Sequence, residues 1–270
     1  SCLYRGQRIL RITTTMARTI IAANWKMNKT IGEAVEFVRA LKNALLQKPV
    51  EADVVIAPPF TSIAALAPEL KNSNMCLAAQ NMNPAASGAF TGEISGEMIL
   101  DAGCRYCIIG HSERRRLFGE DDAFINAKVI AALNYGLLPI LCIGETLEER
   151  EAGTTLAILT RQLKEGLNNV SADDIQKIAI AYEPVWAIGT GKTATPGQAQ
   201  EIHLFIRNLL SEMYGKKEAQ GISIIYGGSV TAANIGSLMA EREINGALVG
   251  SASLDLASFL AIINFDGQRL

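Results

Sequence analysis

Three side chains able to hold or move charge stand at the ends of apolar runs that are far apart in the chain. Lys26 lies in "NWKMN" after "TIIAAN", His111 opens "HSERRR" after "RYCIIG", and Glu183 follows "KIAIAY". A partly buried carboxylate in such a place suits the work of a general base. Taken alone, Glu183 is equally readable as a salt-bridged acid at a strand end. His111 precedes Ser112, which reads as the cap of the next helix. An imidazole facing a helix N-terminus meets positive potential that favours its neutral form. In that form it still donates a hydrogen bond to a carbonyl oxygen. Lys26 is either a surface charge or the cation that offsets an anionic substrate.

Two Gly/Ser loops accompany these groups. "GGSV" carries Gly227, Gly228 and Ser229, and "VGSAS" carries Gly250 and Ser251. Without bulky side chains, their backbone N–H groups can approach an anion closely. Both follow the last two apolar runs, which points to phosphate.

Other patterns carry less. "GTGKT" resembles the end of a P-loop, but that motif puts its first glycine where this chain has Trp186. The following helix also starts near Thr195 rather than at the lysine. "GHSER" lacks the second glycine of a nucleophile elbow, with Arg114 in its place. Cys104 and Cys107 form a C-x-x-C inside a strand pattern, where residues three apart are expected on opposite faces, and no second pair completes a zinc site. His203, in "EIHLFIRNLL", is expected to be a packing or surface residue away from the functional rim.

These groups need a scaffold that brings them together. Eight nearly unbroken apolar runs recur along the chain: "TIIAAN", "DVVIAP", "MCLAAQ", "RYCIIG", "LPILCI", "KIAIAY", "ISIIYG" and "GALVGS". Such runs mark parallel strands covered on both faces. Amphipathic helices separate them. The first has Ile31, Ala34, Val35, Val38, Leu41 and Leu45 on one face, with Thr30 and Glu33 as a capping box. A later one opens at "TPGQ", with Thr195 as N-cap, Pro196 first in the helix and Gln198 reaching back. No linker interrupts the series. The first choice is an α/β fold, a single-domain (β/α)8 barrel, with a doubly wound open sheet as the alternative. In a barrel the functional groups lie just beyond the strands' C-terminal ends.

The composition fits this reading. Of 270 residues, 49% are hydrophobic and 19% charged, as in an ordinary globular protein. A net charge of -2 gives no broad basic surface for nucleic acid. No apolar run approaches the roughly 20 residues of a membrane span. Five scattered cysteines suggest a reducing compartment rather than a disulfide framework. Residues 1–15, "SCLYRGQRILRITTT", contain arginines and threonines but no acid. They read as an organellar transit peptide or, preferably, as a non-native leader before Met16, leaving residues 16–270 as the barrel domain.

The motifs "AANWKMN", "IIGHSERR", "LCIGETLEER", "AYEPVWAIGTGKTATP", "IIYGGSV" and "ALVGSASL" closely resemble the triosephosphate isomerase family, in order and spacing, from about Thr19 to Ile263. The resemblance implies interconversion of dihydroxyacetone phosphate and D-glyceraldehyde 3-phosphate in glycolysis and gluconeogenesis, without cofactor or metal. It makes Glu183 the base, His111 the neutral electrophile, Lys26 the counter-charge and Asn24 a substrate-orienting group. The pairing of a carboxylate base with a neutral histidine is itself a standard example drawn from this family. The resemblance also assigns Ser112 and Glu113 to support, and Gly189, Ser229, Gly250 and Ser251 to the phosphate. It implies a mobile lid over Pro184–Ala194 and a cytoplasmic homodimer in which Thr91 approaches the partner's site. Cys142 and Arg115 match structural positions near the site or interface. Three positions depart from the family pattern: Lys29 and Ser251 where glycine is usual, and Gly197 where glutamate is common. A sugar-phosphate epimerase would want metal ligands or opposed acids instead, and a non-catalytic scaffold would have lost the base or the electrophile.

Overall fold

A computed structural model describes residues 17–187 and 194–265. Eight strands alternate with helices. The first half contains β1 (Ile20–Asn24), α1 (Ile31–Gln47), β2 (Asp53–Ala57), α2 (Phe60–Leu66), β3 (Met75–Ala79), α3 (Gly96–Asp101), β4 (Cys104–Ile109), α4 (Ser112–Phe118) and α5 (Asp122–Asn134). The second half contains β5 (Leu138–Ile143), α6 (Leu147–Glu151), α7 (Thr155–Gly166), β6 (Ala179–Tyr182), α8 (Pro196–Tyr214), α9 (Lys216–Gly221), β7 (Ile224–Tyr226), α10 (Ile235–Met239), β8 (Gly246–Val249) and α11 (Leu256–Ile263). All eight expected strands are present.

Each strand runs parallel to its neighbours, and β1 pairs with both β2 and β8, so the sheet closes. Closure decides the architecture as a (β/α)8 barrel and removes the open-sheet alternative. Side chains from alternate positions fill two separate layers. Ile20, Ala22, Val55, Tyr106, Ile108 and Ile225 pack inside the barrel. Ile21, Ile56, Ile109, Leu141 and Ile180 point outward against Val38, Val129, Leu163, Ile206 and Phe259 from the helices. Both strand faces are thus dry, which is why the sequence shows continuous apolar runs rather than alternation.

Helix starts follow the expected local chemistry. Thr195 N donates to Gln198 Oε1 (3.0 Å), and Gln198 N to Thr195 Oγ1 (3.2 Å). At α1, Thr30 N donates to Glu33 Oε2 (2.7 Å). The buried face of α1 is shifted from the expected one: Phe37 is buried and Ile31 is 49% exposed.

The two cysteines of the C-x-x-C also differ from expectation. Leu77 of β3 pairs with Cys104, but Ala78 pairs with Tyr106, leaving Arg105 as an extra residue in β4. This bulge breaks the two-residue alternation, so Cys104 and Cys107 both face the helix layer, where burial raises the pKa of both thiols. The proposed extension, residues 1–15, lies outside the described residues.

Candidate active site

The strand ends place the predicted groups around one cleft of about 480 Å³. Asn24, Lys26, His111, Glu183, Gly227, Gly228, Ser229, Gly250 and Ser251 all line it. It opens at the C-terminal rim of the barrel, where polar side chains can leave the apolar interior without being stranded in it.

Glu183 follows β6 and is 2% exposed. Its Oε1 lies 3.0 Å from His111 Nε2, and its Oε2 accepts from Ser112 N at 3.0 Å. Two glycines allow this placement. A Cβ added to Gly227 would stand 2.8 Å from Glu183 Cγ, and one added to Gly144 would stand 1.8 Å from the Glu183 carbonyl oxygen. The backbone is tied on both sides: Glu183 N donates to Ile143 O (2.8 Å), and Gly227 N to Tyr182 O (2.7 Å). Beside Glu183, burial lifts the Cys142 thiol well above its ordinary pKa, and the Glu183 charge adds to this.

His111 itself is the N-cap of α4: its Nδ1 accepts from Glu113 N at 3.2 Å. This corrects the expectation that Ser112 caps the helix. Ser112 is the first helical residue, and its N–H, which has no partner within the helix, donates instead to Glu183. An Nδ1 that accepts a backbone hydrogen bond carries no proton, so a neutral imidazole has its N–H at Nε2.

Lys26 adopts a left-handed backbone conformation (φ 52) and lines the cleft. Its Nζ donates to Glu113 Oε1 at 2.6 Å. Burial pushes the Glu113 carboxyl up, but the hydrogen bond from Lys26 and the charges of Lys26 and Arg116 hold it below its ordinary value. Asn24 Oδ1 accepts from Lys26 N (3.1 Å), linking these two residues directly. Across the cleft, the loop after β7 and a 3-10 turn at Ser251–Ser253 after β8 form a wall of small residues.

The sequence profile of the family described as triosephosphate isomerase matches residues 19–266. The chain belongs to the triosephosphate isomerase family. It is 54% identical to triosephosphate isomerase of Syntrophotalea carbinolica over 250 residues, covering 93% of this chain and 99% of that one. It is also 54% identical to the enzyme of Moorella thermoacetica over 251 residues (93% and 100% covered), and 52% identical to that of Chloroflexus aurantiacus over 246 (91% and 98%).

As a triosephosphate isomerase family member the chain is an intramolecular isomerase of a triose phosphate, a reaction of glycolysis. The sequence motifs identified the rim residues but not the side chains that brace them. Gln80 Nε2 donates to the carbonyls of Lys26 (2.8 Å) and Ala57 (2.9 Å), fixing the loop after β1. It ends the third apolar run, so the rule that found His111 and Glu183 would have found it too. Gln162, inside α7, grips one residue with both ends of its amide: Oε1 accepts from Gly144 N (2.8 Å) and Nε2 donates to Gly144 O (3.1 Å). No local pattern marks it. Glu145 is fully buried and accepts at Oε1 from Tyr182 OH (3.1 Å), Trp186 Nε1 (2.9 Å) and Arg150 (3.1 Å).

His203 is buried between Tyr182 and Tyr226, away from the cleft, in agreement with a packing role. Thr91 is exposed near the tip of the loop after β3. Gly189 and most of the stretch expected to form the lid, residues 188–193, lie outside the described residues.

Proposed function

We propose that Glu183 is the base that moves a proton between C1 and C2, the carbonyl carbon and its hydroxyl-bearing neighbour, in dihydroxyacetone phosphate and D-glyceraldehyde 3-phosphate. The carboxylate takes a proton from the carbon beside the carbonyl. The C–H electron pair becomes the enediolate double bond, and the carbonyl electrons pass to oxygen. Return of the proton to the neighbouring carbon completes the isomerisation. His111 donates its Nε2–H to the oxygen that gains charge and shuttles the hydroxyl proton. Lys26 offsets the charge of phosphate and enediolate, and Asn24 orients the substrate. Ser112 and Glu113 hold Glu183 and Lys26 in place. Gly189, Ser229, Gly250 and Ser251 present N–H groups to the phosphate. Every proton and charge in this scheme comes from the chain's own groups and the substrate, so it uses neither cofactor nor metal.

The observation that carries this reading is the His111–Glu183 contact at 3.0 Å, with Nδ1 already engaged by Glu113 N. It supports the reading because the imidazole and the carboxylate that the scheme pairs meet in one small cleft. The test is a coupled isomerase assay on the wild type, Glu183→Asp and His111→Gln. Each substitution is expected to cost at least about a hundredfold in kcat, the lower end for a positioned acid or base. Unchanged turnover in Glu183→Asp would overturn the assignment.

The protein acts as a homodimer in the cytoplasm on this reading. No described helix is long and apolar enough to cross a membrane. Phe90 and Met98 are 50% and 55% exposed, on and beside the loop that carries Thr91. Apolar side chains exposed in this way favour a covered face. Thr91→Arg is expected to yield monomers in sedimentation velocity and to lower activity, whereas a wild type that sediments as a monomer would exclude the dimer.

A further inference from the structure

We propose that Lys29 is a positioning residue for phosphate binding, because it bolts the loop that carries Lys26 to the turn that carries Gly250 and Ser251. This rests on the reading of Gly250 and Ser251 as phosphate-contacting residues.

Lys29 has φ 71, a left-handed conformation that glycine adopts freely and a lysine does not. The strain is matched by three contacts of its ammonium. Nζ lies 4.6 Å from the Phe37 ring centroid and 5.4 Å from that of Trp25. It also donates to the Leu254 carbonyl at 2.9 Å, across the rim. Leu254 closes the 3-10 turn, its N–H donating to Ser251 O at 3.0 Å. The lysine thus holds one end of a turn whose other end faces the cleft.

The same side chain steadies the loop after β1. Trp25 is fully buried under it, and the Trp25 carbonyl accepts from Asn28 Nδ2 at 2.7 Å. Lys26 is the next residue after this anchored tryptophan. Two of the groups assigned to the substrate's negative charge, Lys26 and Ser251, therefore belong to loops joined through Lys29 and otherwise far apart in the chain. Asp255, which lines the same wall and caps α11 through Ser258 N (2.8 Å), has its charge offset by Lys29. Without the lysine, the wall would be looser and more negative on the side where an anion binds.

The test measures the inhibition constant of inorganic phosphate, together with KM and kcat, in the wild type, Lys29→Met, Lys29→Arg, Lys29→Gly and Gly250→Val. Lys29→Met keeps the stem but loses the charge, and Lys29→Gly relieves the backbone while losing the tether. Both are expected to raise the phosphate inhibition constant and KM about tenfold, the range of one charged hydrogen bond, with kcat nearly unchanged. Lys29→Arg, which keeps the charge, the donor and the ring contact, is expected to restore wild-type values. Wild-type phosphate affinity and KM in Lys29→Met and Lys29→Gly, with Gly250→Val abolishing inhibition, would overturn the role of Lys29 alone. Undiminished inhibition in Gly250→Val would instead overturn the phosphate reading beneath it. A fall in kcat and thermal midpoint that Lys29→Arg fails to rescue would reduce Lys29 to a structural residue.

Discussion

His111 Nε2 lies 3.0 Å from Glu183 Oε1, while the other carboxylate oxygen accepts from Ser112 N, the first N–H of α4. Glu183 is therefore flanked by His111 and by the same helix start whose Glu113 N–H donates to His111 Nδ1. One short segment, His111–Glu113, sets the geometry of both partners. The opposite side of Glu183 is set by glycines.

Gly227→Ala places a methyl against the Glu183 side chain, at 2.8 Å from Cγ. A displacement near 1 Å is enough to cost about a hundredfold in rate, so kcat should fall by about that factor with KM little changed. Gly144→Ala meets backbone rather than side chain and should lower both stability and kcat. Steady-state kinetics with urea unfolding separates the two. Native kcat in Gly227→Ala would show that the carboxylate needs no such clearance.

Gln162→Leu leaves the Gly144 N–H and C=O without their side-chain partners in a buried place. Each orphaned group costs about 1–3 kcal/mol, so a total loss of about 2–6 kcal/mol is expected in urea unfolding. Activity should fall too, because the Gly144 peptide lies directly against the Glu183 backbone. A variant as stable as the wild type would show that water replaces the amide at no cost.

Lys128 is fully buried, donating to Glu120 Oε1 (2.6 Å) and Asn81 Oδ1 (2.7 Å). Burial draws its pKa below the ordinary lysine value, against the pull of Glu120. Lys128→Met leaves the Glu120 charge buried with only Arg114 beside it, and should cost about 3 kcal/mol. The double variant Lys128→Met/Glu120→Leu removes both charges and should recover most of the loss. Urea midpoints of the two variants check this, and equal destabilisation in both would contradict it.

His203 makes a pH dependence. Burial pulls its pKa down to about 4 from 6.5, the backbone contact with Glu243 O opposing only weakly. The folded protein keeps the ring neutral, whereas the unfolded chain takes up a proton below pH 6.5. Its contribution is therefore fully present above that pH and lost as pH falls from 6.5 to about 4, about 3 kcal/mol in all. Unfolding free energies of the wild type and His203→Leu, measured from pH 7.5 to 4, should converge as pH falls. Parallel curves would remove His203 from the acid response.

The sequence by itself determined the eight strands, the order of strands and helices, and the polar residues at the rim. These are local properties: a strand covered on both faces reads as an apolar run, and a polar residue ending it has left the core. Lys26, His111 and Glu183 were legible for that reason, as were the caps at Thr30 and Thr195. Only the tertiary structure decided what depends on the meeting of distant segments. Closure needs β1 to find β8, and nothing in either strand names the other. The β4 bulge reversed the expected facing of Cys104 because register belongs to a pair of strands, not to one. The cap at His111 rather than Ser112, the grip of Gln162 on Gly144 and the reach of Lys29 to Leu254 depend on side-chain direction and stagger between elements. Spacing along the chain carries none of that information; packing does.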